Sequence, residues 1–137
     1  MDVQKDEQIQ AMVDDIIQTL ESEHLNQHRI ICMRSHGTTA RAYARIWNLP
    51  DIWQKALDVG TFYVIEVLSE HFDKLSNDEK EKVLIHELLH IPKTFSGALL
   101  AHGHPSAPVN ERTAGKLWKE YRKKKAGQAA RAPAFSD

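Results

Sequence analysis

Between Ser76 and Pro92 the chain encodes both ends and one working face of a single helix. Ser76-Asn77-Asp78-Glu79 has the pattern of a capping box, in which the serine hydroxyl accepts a first-turn N–H and the glutamate reaches back. Pro92 has no N–H to offer and crowds the preceding turn, so the helix is predicted over residues 76–91. Within it, Val83-Leu84-Ile85-His86-Glu87-Leu88-Leu89-His90-Ile91 is apolar except at three positions. His86 and His90 stand four apart, so both imidazoles leave the same face and can grip one cation. Glu87 lies on the flank of that face, placed to meet a water rather than the ion. Leu84, Leu88 and Ile91 fall opposite, where they anchor the helix, and Ile85 and Leu89 cover another side. Polar rings sunk among leucines are costly unless satisfied, and a metal satisfies two at once. The plainer alternative is a pair of core histidines. Chance supplies only roughly 0.03 occurrences of His-Glu-x-x-His in such a chain, which disfavours coincidence.

A hydrolytic zinc takes three protein ligands and keeps one position open. Lys93 and Ser96 stand where the extended His-Glu-x-x-His-x-x-Gly-x-x-His pattern needs glycine and histidine, so that class fails. An acidic ligand about twenty residues past His90 would be Glu111. The third source is His102-Gly103-His104, carried on an irregular connection over residues 93–108 with two glycines and two prolines. We take His86, His90 and His102 as metal ligands and Glu87 as the catalytic residue, with His104 and Glu111 as alternatives for the third ligand.

The rest of the chain sets the frame for that helix. At 137 residues, 42% hydrophobic and 27% charged, it suits one core. With 18 basic and 19 acidic side chains, no global field draws it onto nucleic acid or an anionic membrane. A single cysteine, Cys32, excludes an internal disulfide and a thiolate zinc cluster. No run reaches the ~18 apolar residues of a membrane span, and the acidic first residues lack a signal core, so a soluble, cytoplasmic protein is expected. Apolar steps of three and four predict an amphipathic helix over residues 6–25. Residues 29–33, 42–47 and 61–68 read as strands, the last rich in aromatic and β-branched side chains. Residues 52–57 form a helical turn or loop, and a last helix is predicted over 109–125. The expected fold class is α+β: a three-stranded sheet packed with the metal-binding helix and two further helices. Residues 1–125 make one domain and 126–137 a disordered tail.

His86-Glu87-Leu88-Leu89-His90, a loop and His102-Gly103 resemble the SprT/Spartan group of minimal zincins, where a His-Gly after a medium loop gives the third ligand. The chain resembles more closely a metallopeptidase family of phages and archaea. Its members carry a stretch like Phe72-Asp73-Lys74-Leu75-Ser76, the metal helix, then Ile91-Pro92-Lys93-Thr94-Phe95-Ser96-Gly97 and a His-Gly. The resemblance implies a zincin-like domain, Zn²⁺ as cofactor and hydrolysis of peptide bonds in a protein or peptide substrate. Three neutral ligands would let zinc lower the pKa of its water from about 15.7 towards roughly 7. Glu87 would take the proton and pass it to the departing amine. His104, Arg112 or Tyr121 are candidates for a second oxyanion donor, and the strand over 62–68 offers an edge for an extended peptide. The alternatives are a zinc-dependent hydrolase of nucleic acid, against which Glu87 argues, and an inactive binding domain whose zinc is structural.

The remaining features take duller readings. His24 and His28 mark a solvated helix end, His36 a turn and His71 a surface position near a strand end. Cys32, Trp47, Trp53 and Trp118 are expected in the core. Arg122-Lys123-Lys124-Lys125 suits the negative end of a helix. A DNA contact is the alternative there, since SprT-like proteases act on DNA-bound proteins.

Overall fold

Two strands with mainly apolar inward faces form the centre of the sheet. β2 (Ile30–His36) and β4 (Tyr63–Leu68) run parallel, with Ile30 opposite Tyr63 and Cys32 opposite Ile65. Tyr63, Ile65 and Val67 alternate onto the side that also holds Ile30 and Cys32, and all five are buried. β1 (Asp2–Lys5) joins β2 antiparallel and β3 (Ala44–Asn48) joins β4 antiparallel, giving the order β1-β2-β4-β3. The computed structural model describes residues 2–105 and 107–131, an α+β arrangement of this mixed four-stranded sheet and five helices.

The helices are α1 (Glu7–Thr19), α2 (Asp51–Leu57), α3 (Ser69–Phe72), α4 (Asn77–Leu89) and α5 (Glu111–Arg131). The Asp6 carboxylate starts α1 by accepting the Ile9 N–H at 2.9 Å, and the helix buries Ile9, Val13, Ile16 and Ile17 as its spacing predicts. The capping box at Ser76 and Glu79 is formed. From it α4 runs with Leu84, Ile85 and Leu88 in the common core, joined there by Ile91. Buried Glu81 ties α4 to α5 by accepting from Trp118 Nε1 and Arg122 Nε, each at 2.9 Å. Asp15 of α1 takes bonds from Tyr121 and Lys125, so α5 is clamped to both of the other long helices.

Several expectations are corrected. The sheet has four strands, not three, because Asp2–Lys5 pairs with β2 through its backbone while all four of its side chains stay exposed. The strand over 62–68 is interior, flanked by β2 and β3, and the open edge on that side is β3. Trp47 and Trp53 are 51% and 56% exposed rather than core, since Trp47 sits on an edge strand and α2 turns only Gln54 inward. Trp118 does pack against the core. The basic run lies inside α5, which continues to Arg131, and Arg122 pairs with Glu81 instead of capping a helix end. His71 lies in α3, and the end of the expected tail, residues 132–137, falls outside the described residues. No described helix is long and apolar enough to cross a membrane.

Two measurements check this packing. Leu84→Ala should cost about 2–5 kcal/mol in urea unfolding, the usual range for a core leucine emptied to alanine. Cys32 is buried, and burial, reinforced by Asp14 and Asp6, pushes its thiol up to about 12. A maleimide at pH 8 should therefore leave the native protein unlabelled and react fully only under unfolding conditions.

Candidate metal centre

The helical repeat of α4 sends Glu79, Val83, His86, Glu87 and His90 along one side, where they form the floor of an open cleft of about 900 Å³. Residues 42–46, at and before β3, make one wall, and Glu111, Ala114 and Gly115 of α5 help make the other. β3 is held in place on the far face of the sheet by Glu66. Its carboxylate accepts from Arg45 Nε and Trp47 Nε1, both at 2.8 Å.

After Pro92 the chain doubles back over the end of α4. Leu100 meets His90 twice: its N–H donates to the His90 carbonyl at 2.7 Å, and its own carbonyl lies 2.6 Å from His90 Nδ1. A carbonyl can only accept, so Nδ1 carries the proton and Nε2 keeps its lone pair. Two residues on, His102 enters the cleft mouth with its Nε2 at 3.1 Å from His86 Nε2. One ligand atom from each of His86, His90 and His102 lies within 4.8 Å of the others. That is the scale of the roughly 3.4 Å between nitrogens around one tetrahedral zinc at ~2.0–2.1 Å.

The electrostatics suit a cation. Burial, with His90 and His102 nearby, holds the His86 imidazole below its usual pKa, and burial does the same to His90 against the pull of the Leu100 carbonyl. Neutral imidazoles are the metal-binding form. Glu87 is buried beside them, and burial pushes its carboxyl up to about 7. Its Oε2 has no hydrogen-bond partner. A buried carboxylate oxygen left unpaired, in the same cleft as three converging imidazoles, is what a site shaped around an ion and a small polar reactant looks like, so the residues present fit a metal.

The family described as putative phage metallopeptidase matches residues 1–123. The chain belongs to this family. The match spans every strand, α1 to α4 and the first half of α5, so the whole cleft lies inside it. No curated protein and no solved structure gives a significant match. In this member of the phage metallopeptidase family the three sequence candidates for a third ligand fall in different places. His102 joins His86 and His90. Glu111 lines the same cleft and acts on His86 electrostatically without entering the cluster. His104 lines a second cavity on the other side of α4, with Leu88, Leu89 and Leu117. His36 lies instead against Ser69, 3.4 Å from its hydroxyl.

The sequence reading missed the Leu100 carbonyl, because backbone acceptors carry no residue-type signature. It also named β4 where β3 forms the wall. Metal content by mass spectrometry should fall for His102→Ala and stay at the wild-type level for His104→Ala and Glu111→Ala.

Proposed function

We propose that this chain is a zinc-dependent endopeptidase with a zincin-like fold, in which His86, His90 and His102 hold the ion and Glu87 is the general base. The observation that carries the reading is the unpaired, buried Glu87 Oε2 in an open cleft lined by three converging imidazoles. A set of three imidazoles suits zinc among the common hydrolytic metals. When bound, zinc supplies Lewis acidity and lowers the pKa of its water. The chain's own residues do the rest. Glu87 takes a proton from the attacking water and delivers it to the leaving amine. Burial pushes its carboxyl up to about 7, which favours proton uptake, while a cation held by the histidines would draw it down and favour release.

β3 supports a peptide as substrate. It is the sheet edge beside the cleft, and the N–H and C=O groups on its open side can pair with an extended backbone lying across the three histidines. Tyr43 and Leu99, both exposed on the cleft lining, offer apolar contact to its side chains. Nucleic acid is disfavoured. Glu79, Glu87 and Glu111 outnumber the cleft's cations, Lys82 and Arg45. Lys82 lies over the Trp118 ring and Arg45 is committed to Glu66. Arg122, Lys124 and Lys125 are each paired with a carboxylate. A purely structural zinc would need a fourth ligand, and the cluster among the described residues contains three histidines.

Glu87→Gln should keep zinc at the wild-type stoichiometry while losing turnover of a fluorogenic peptide by about 10²–10⁴-fold, the usual worth of a general base. His86→Ala should lose both metal and activity. Full activity in Glu87→Gln would discard the assignment.

A further inference from the structure

Tyr63 is fully buried in β4, yet its hydroxyl is spent on the loop that follows the metal helix. It donates to the Ala98 carbonyl at 2.8 Å and accepts the Gly97 N–H at 2.9 Å. The Gly97 carbonyl in turn accepts from Asn48 Nδ2 of β3 at 2.8 Å, so one residue is fastened to two strands. Phe95 lays its ring edge-on to the Tyr63 ring, with centroids 5.1 Å apart. Gly97 has φ +92°, and a Cβ there would stand 2.8 Å from Gln54 Nε2, so the chain passes this point only as glycine.

Beyond that fastening the loop uses every second residue. Ala98 is held by Tyr63, Leu100 exchanges two hydrogen bonds with His90, and His102 reaches His86. We propose that Tyr63 is a positioning residue for the metal centre: its hydroxyl sets where the loop starts back across α4, and so fixes both the carbonyl that orients His90 and the imidazole of His102. This rests on the metal reading of the three histidines. A phenylalanine would fill the same space and leave the Gly97 N–H and the Ala98 carbonyl without the hydroxyl, freeing the loop at its root. Of these hydrogen bonds between the sheet and Gly97 and Ala98, only that of Asn48 on the exposed edge strand would then remain.

The test measures metal, not turnover. Zinc affinity of the full-length protein is read by competition with a chromophoric chelator, and ligand geometry by the visible absorption of the Co²⁺ form. Tyr63→Phe should bind zinc about 10–100-fold more weakly, the usual effect of removing an outer partner of a metal site, and should alter the Co²⁺ bands. Asn48→Ala, which leaves the core intact, should weaken zinc in the same direction by less. If Tyr63→Phe melts earlier than wild type without metal but keeps wild-type zinc affinity and Co²⁺ spectrum, the residue is only structural and the proposal falls. Should Tyr63→Phe not fold, unchanged affinity in Asn48→Ala overturns it. A wild-type protein that binds neither Zn²⁺ nor Co²⁺ removes the metal reading itself, an outcome distinct from both.

Discussion

The seating of α4 on the sheet, through Leu84, Ile85 and Leu88, is the constraint on which the rest depends. Each such side chain contributes about 1.5–3 kcal/mol on burial. That is enough to offset a buried carboxylate oxygen without a partner, at roughly 1–3 kcal/mol. This seating is apolar and requires no ligand. It therefore holds His86 and His90 on one side of the helix whatever occupies the space between them, and leaves the returning loop to bring the third ring.

Two buried glutamates show how the fold separates structure from chemistry. Burial pushes Glu66 up, but bonds from Arg45 and Trp47 outweigh it and hold the carboxyl below its ordinary value. It stays charged and straps β3 to β4. Glu87 is sunk deeper into the protein with nothing to offset the loss of water, and rises to about 7. Same side chain, opposite environment: one acid is fixed as an anion and the other is left free to exchange a proton.

What the sequence disclosed follows from how local each signal is. The capping box, the i,i+4 histidines and the three- and four-residue steps of α1 lie within a few turns of chain, and each was readable. The loop's return to His102 was also within reach, since His102 belongs to a recognisable His-Gly pair. Long-range partnerships were not. Glu81 looks like one more charge on a solvated turn until Trp118 and Arg122, 37 and 41 residues later, close over it. Asp2–Lys5 has no apolar alternation because its pairing is carried by backbone alone. Trp47 and Trp53 misled in the other direction: their residue type favours a core, but the strand and helix that carry them lie at the margin of the sheet, where there is no core to enter.

The free side of β3 has a cost as well as a use. A strand whose peptide groups are unpaired will take any extended backbone, including that of a second copy, and self-association is the standing hazard of such a border. The chain keeps that hazard small by brevity and interruption. β3 is five residues long, its run is halted two positions later at Pro50, and the charged head of Arg45 rides on it. A strip this short rewards a guest that gains further grip nearby and gives a twin little to hold.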